Sequence, residues 1–108
     1  MTRLPPALAA RATTAILELL PEPPARVLEL GFAGIHAGPL RLAGYDVTVV
    51  EPDERHRDRA RERAGEALAT VPDTSFDVVI AEDGTPVPAA PVVLLVGHDG
   101  SVWRSTSD

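Results

Sequence analysis

Apolar residues recur along the chain at two spacings, one typical of helices and one typical of strands. The first stretch follows Pro5 and Pro6, which suit the first turn of a helix. Its apolar positions fall on one helical face and are Leu8, Ala12, Ala15, Ile16, Leu19 and Leu20. The proline-rich segment 21–24 then ends the helix. The first predicted element is therefore an amphipathic helix.

Four short apolar runs predict the strands of one sheet. They cover residues 26–30, 46–51, 76–81 and 92–96. The last two runs are almost continuously apolar, as expected for strands that are covered on both faces. The pair Asp99-Gly100 is a hairpin turn signal, so residues 101–104 are predicted to return as a short edge strand.

Two further helices are predicted between the strands. A short one has Pro39 in its first turn and stops at Gly44, and a longer one is capped by Asp53 and extends to about Ala69. The longer helix carries opposite charges three residues apart, which are Glu54/Arg57, Asp58/Arg61, Arg59/Glu62 and Arg63/Glu66. We interpret this face as solvated and paired with itself.

This order of elements predicts an α/β fold built as one domain over residues 1–108. Strands that alternate with helices favour a mainly parallel sheet, here of about five strands with a C-terminal hairpin. The direction of the strand at 92–96 stays open, because the ten preceding residues, 82–91, include three prolines. These ten residues could form a short crossover to a parallel strand. They could equally form a loop that leads to an antiparallel strand.

Composition excludes several classes of protein. The chain has 10 basic and 16 acidic residues, a net charge of −6, and lacks the positive field that nonspecific nucleic-acid binding needs. It contains no cysteine, so it has no disulfides and no cysteine metal site, and no metal-ligand spacing stands out. The longest apolar run, 92–96, is far too short for a membrane span. The first six residues show no signal pattern, so we expect a cytoplasmic protein without membrane contact.

The candidate chemistry lies where the first strand meets a glycine turn and the next helix. Gly31 and Gly34 stand in this turn, and Glu51 follows Gly31 by 20 residues, at the end of the second strand. This is the spacing of a nucleotide-binding βαβ unit, in which the acid accepts hydrogen bonds from ribose hydroxyls. Glu82 follows the strand at 76–81, at the strand end where ligands of open α/β sheets bind. His36 is expected at the surface, and the alternative is a place beside a ligand at the N-terminus of the next helix.

Over about residues 26–81, the chain resembles the class I S-adenosylmethionine-dependent methyltransferases. The stretches that carry the resemblance are Val27-Leu28-Glu29-Leu30-Gly31, Gly44-Tyr45-Asp46-Val47-Thr48-Val49-Val50-Glu51, Ala60-Arg61-Glu62-Arg63-Ala64 and Ser75-Phe76-Asp77-Val78-Val79-Ile80-Ala81. The resemblance implies a truncated Rossmann-like three-layer sandwich that binds S-adenosylmethionine, with methyl transfer as the associated reaction. It also implies that Glu29 lies near the methionine end of the cofactor and that Glu51 holds the ribose diol.

The chain departs from the family pattern in its glycines and in its length. Ala33 and Ile35 stand where the family has glycines, and we expect Ile35 to crowd the methionine end of the cofactor. The family's third strand is missing or vestigial here.

Two other readings stay open. The turn and Glu51 are purely structural in a non-catalytic interaction domain, or they belong to a nicotinamide dinucleotide-binding regulatory module. For the C-terminal edge strand, with Val102 and Trp103, we expect a homodimer contact.

Overall fold

The computed structural model describes residues 6–105. Its elements are α1 (Pro6–Leu19), β1 (Arg26–Leu30), α2 (Ala37–Leu42), β2 (Asp46–Val50), α3 (Glu54–Ala64), β3 (Val78–Glu82), β4 (Val92–Val96) and β5 (Val102–Ser105). Residues 1–5, on which most of the expectation about a signal segment rests, lie outside the described residues. None of the helices in the described part is long and apolar enough to cross a bilayer.

The five strands form one sheet in the order β2-β1-β3-β4-β5. β1 is parallel to β2 and to β3, β3 is parallel to β4, and only β5 is antiparallel to its neighbour. This confirms the predicted α/β class with its mainly parallel sheet and C-terminal hairpin. It also settles the direction of β4, which is reached from β3 through residues 83–91, a crossover that contains no helix.

The three helices pack on the same face of the sheet. Because side chains alternate along a strand, every second strand residue points to that face. The buried strand residues in this core are Val27, Val47, Val49, Val78, Ile80, Leu94 and Val96. They meet Ala12 and Ile16 of α1, Leu40 of α2 and Ala60 and Ala64 of α3. Small residues on the helices allow the close approach that three helices over one narrow sheet require.

The opposite face of the sheet is covered by loops. Its core consists of Leu28, Leu30, Val50, Val79, Ala81 and Phe76, with Leu68, Val87 and Ala90 packed against them. Phe76 and Leu68 come from the segment between α3 and β3, and Val87 and Ala90 come from the segment between β3 and β4. The third layer of the sandwich is therefore made of loop segments without a helix.

α3 ends five residues earlier than its apolar spacing predicts. Gly65 adopts φ +84 and donates its backbone N–H to Arg61, which terminates the helix. The next residues run beside β2, where Leu68 forms a single parallel bridge with Val50. The Leu68 backbone donates to Val49 at 2.9 Å and accepts from Glu51 at 2.8 Å. This isolated bridge lies on the edge of β2 that none of the five strands covers.

Candidate functional site

The carboxyl ends of three parallel strands meet around a small cavity. β2 lies on one side of β1 and β3 on the other, so the direction of strand addition reverses at β1. Ligands of open α/β sheets bind at such a reversal. The cavity measures about 170 Å³ and is lined by Leu30, Gly31, Glu51, Pro52, Asp53, Glu82 and Thr85. Of the five predicted cofactor residues, Gly31, Glu51 and Glu82 line it together.

Gly31 leaves space at the mouth of this cavity. Its φ is +87, a conformation that glycine adopts at little cost, and its backbone N–H donates to the Val50 carbonyl at 2.9 Å. A Cβ built at this position would have no atom within 4 Å. The backbone at Gly31 is therefore open to a close approach by a ligand.

The Glu51 carboxylate ties the glycine turn to the start of α3. Its side chain is almost fully buried, with 1% exposed. Oε1 accepts the Ala33 backbone N–H at 2.9 Å, and Oε2 accepts the Asp53 backbone N–H at 3.0 Å. Each carboxylate oxygen retains a second lone pair, so these bonds leave capacity for a ligand hydroxyl. Glu51 thus has a structural role and retains acceptor capacity beside the cavity that it lines.

The cavity is negatively charged. Asp53 caps α3 and also binds the Arg55 guanidinium at 3.0 Å, and these bonds lower the pKa of Asp53 to about 2. Glu82 is half-buried, and its side chain has no hydrogen bond or ion pair in the described structure. No basic side chain is among the lining residues. Glu51 and Glu82 therefore bring two carboxyl groups, without a cation, to the space next to Gly31.

Gly34 has a packing role and does not line this cavity. Its φ is +75, and a Cβ there would lie 3.2 Å from the Ala60 carbonyl oxygen and 3.4 Å from the Ala64 Cβ. The missing side chain lets the turn lie directly against α3.

Glu29 lies on the helix-covered face of the sheet and also does not line the cavity. It is fully buried, and its Oε2 accepts the His36 backbone N–H at 2.7 Å, while Oε1 has no partner. Burial raises the pKa of Glu29 to about 7, although the His36 backbone and the charges of Arg41 and Arg63 oppose this shift.

His36 is fully buried, so the expectation of a surface histidine is wrong. The Thr13 hydroxyl donates to the Ala9 carbonyl at 3.0 Å and lies 2.6 Å from His36 Nδ1. Nε2 has no partner in the described structure, and burial lowers the pKa of His36 to about 4. No sequence signal places this side chain under α1.

Ile35 lines a different cavity from the one at the strand ends. It faces a groove formed with α1 and α3, together with Pro39. Ile35 is not among the residues that line the strand-end cavity, and its effect on cofactor binding stays a prediction.

Comparisons with known proteins do not assign the chain to a family. No protein-family model matches the chain, and no curated protein matches it. The features of the chain that bear on its function are therefore its Rossmann-like fold and the cavity at the strand ends.

Proposed function

We propose that this chain binds S-adenosylmethionine at the carboxyl ends of β1, β2 and β3. The observation that carries the proposal is the meeting of Gly31, Glu51 and Glu82 around one cavity where the strand order reverses. In this proposal the ribose hydroxyls bind Glu51 and the ligand passes over the bare backbone of Gly31. The motif resemblance supports the same placement of the ribose.

Charge favours S-adenosylmethionine over a nicotinamide dinucleotide. S-adenosylmethionine carries a positive sulfonium, whereas a dinucleotide carries a negatively charged pyrophosphate. The lining residues include Glu51, Asp53 and Glu82 but no lysine or arginine. Only Asp53 is paired with a guanidinium, that of Arg55. Carboxylates at short range attract the sulfonium and repel the pyrophosphate.

The size of the cavity implies that binding moves part of its wall. Its volume of about 170 Å³ is below the roughly 300–1,000 Å³ of typical ligand sites. Thr85 closes one side and belongs to the helix-free segment 83–91. We expect this segment to shift when the cofactor enters.

The proposal extends to methyl transfer from the bound S-adenosylmethionine to an acceptor. The reaction needs an acceptor nucleophile held in line with the sulfonium methyl group, and positioning supplies much of the rate. A cavity of about 170 Å³ does not enclose an acceptor beside the cofactor. A partner protein or a second copy of the chain would have to complete the pocket.

Titration calorimetry with S-adenosylmethionine, its demethylated product and NAD tests the proposal. We expect S-adenosylmethionine to bind more tightly than the demethylated product, because only the former carries the sulfonium charge. NAD should bind least. Binding of NAD alone, or of none of the three, would overturn the proposal.

Glu82→Gln is the variant that separates binding from folding. The Glu82 side chain makes no hydrogen bond or ion pair in the described structure, so loss of its charge should leave stability unchanged. Removing one carboxylate from the cavity should weaken the binding of S-adenosylmethionine by about tenfold. Glu54→Gln is the matched control, since Glu54 is exposed on α3 and does not line the cavity. Equal affinity in both variants would remove Glu82 from the site.

A further inference from the structure

A second and larger cavity lies on the outer side of the helical layer. It is an open groove of about 820 Å³ whose walls come from α1 and α3. α2 is only 6 residues long, so it leaves the space between its longer neighbours uncovered. Ile35 and Pro39, at the start of α2, contribute to the lining. The volume lies within the range typical of small-molecule sites.

The α1 side of the groove is mostly apolar. Pro6, Ala9, Ala10 and Leu17 line it together with two threonines. The threonine hydroxyls already donate within α1, Thr13 to the Ala9 carbonyl and Thr14 to the Ala10 carbonyl. These side chains therefore offer a ligand an apolar surface and no free hydrogen-bond donor.

The α3 side of the groove supplies two guanidinium groups. Arg59 and Arg63 line it, one helical turn apart. The Arg59 side chain makes no hydrogen bond or ion pair in the described structure, and the Arg63 guanidinium donates only to the Ala33 carbonyl, at 3.3 Å. The predicted partners Glu62 and Glu66 do not form salt bridges with them; of the four predicted pairs only Asp58–Arg61 forms, at 3.0 Å.

The charge of the groove is opposite to that of the chain as a whole. The protein has 16 acidic residues and a net charge of −6. None of the residues that line the groove is acidic, and both of its charged residues are arginines. An apolar pocket that has, at one side, guanidinium groups without a salt bridge in the described structure complements a molecule with an apolar body and one carboxylate.

We infer that this groove binds a small amphipathic carboxylate, such as a medium-chain fatty acid. The hydrocarbon part lies against α1, Ile35 and Pro39, and the carboxylate accepts hydrogen bonds from Arg59 and Arg63. This site is separate from the strand-end cavity, with which it shares no lining residue. The two sites can therefore be tested independently.

Titration calorimetry with octanoate, 1-octanol and octylammonium, each below its micellar range, tests this inference on the full chain. Octanoate should bind, the neutral alcohol should bind about tenfold more weakly, and the cation should not bind. Affinity should rise about fourfold for each CH₂ between hexanoate and decanoate, as expected when a methylene is buried. Binding of octylammonium as tight as that of octanoate would overturn the assignment.

Three variants locate the site. Arg59→Gln should weaken octanoate binding by about tenfold. Folding should be unaffected, because the Arg59 side chain has no hydrogen-bond or ion-pair partner in the described structure. Arg61→Gln is the matched control: it is on the same helix, outside the groove, and should bind as the wild type does. Ala10→Phe, at an exposed position of α1, should fill the groove and abolish binding. Octanoate affinity that survives both Arg59→Gln and Ala10→Phe would refute the site.

Discussion

Glu29 and His36 are two buried residues whose charged forms the fold disfavours. Burial raises the Glu29 pKa from 4.5 to about 7 and lowers the His36 pKa from 6.5 to about 4. The stability that protonated Glu29 contributes is present below pH 4.5 and is lost as the pH rises to about 7. The contribution of neutral His36 is present above pH 6.5 and is lost as the pH falls to about 4. The two shifts are similar and opposite, so we expect a nearly flat wild-type profile.

Glu29→Gln should reveal this compensation. Glutamine keeps an acceptor for the His36 N–H and resembles the protonated carboxyl group. Relative to wild type, the variant should gain about 3 kcal/mol of unfolding free energy between pH 4.5 and pH 8. Urea unfolding across this range measures the gain, with exposed Glu54→Gln as a control that should show none. A constant difference between Glu29→Gln and wild type would show that Glu29 is ionised throughout.

Two glycines of one turn should respond differently to alanine. Both Gly31 and Gly34 have positive φ, so alanine costs each of them about 1–2 kcal/mol of backbone strain. Gly34→Ala adds a contact of 3.2 Å with the Ala60 carbonyl oxygen, whereas Gly31→Ala meets no atom within 4 Å. Thermal unfolding should therefore show a larger loss for Gly34→Ala. Only Gly31→Ala should weaken the binding of S-adenosylmethionine. Equal losses of stability in the two variants would contradict this division of roles.

At the scale of elements, α3 shows what spacing does and does not predict. The Asp53 cap is as expected, with its side chain accepting the Arg55 backbone N–H. The end of the helix was not predictable from its apolar stripe, because Ala67 and Leu68 continue the helical spacing but follow Gly65 into the bridge with β2. The partner of Arg57 also differs from the predicted Glu54, because its guanidinium donates to the backbone carbonyls of Glu51 and Pro52. A one-dimensional charge pattern contains no information about such backbone acceptors.

β5 is the terminal strand of the sheet and carries the partly exposed Trp103, and we propose that it pairs with β5 of a second copy. An open strand edge with an apolar side chain favours such pairing. Trp103→Lys should therefore convert a dimer into a monomer in sedimentation velocity at micromolar concentration. Leu42→Lys, at an apolar residue that is 92% exposed on α2, should leave the dimer intact. A monomeric wild type at high micromolar concentration would eliminate the proposal.

At the scale of the molecule, strand order and side-chain alternation decide which predicted residues meet. Residues just after the strands converge, which is why Glu51 could be placed at the cavity from sequence alone, and Glu82 lies there at the end of β3. Glu29 stands within β1 and shares the helix-facing side with Val27, so it turns away from the cavity. The larger groove was not predictable, because it depends on how far α2 extends between its neighbours.

The loop-covered face of the sheet yields the last prediction. Phe76 is 6% exposed in this core although it precedes β3, and its ring also lies 5.8 Å from the Arg26 guanidinium carbon. If this loop segment closes the core as a helix would, Phe76→Ala should lower the unfolding free energy by about 3 kcal/mol or more.

Val71→Ala, in the same segment but 37% exposed, should cost less than about 1 kcal/mol. Urea unfolding measures both changes. A small loss for Phe76→Ala would mean that the helix-covered core alone holds the sheet, because its apolar residues from three helices would then suffice without the second face.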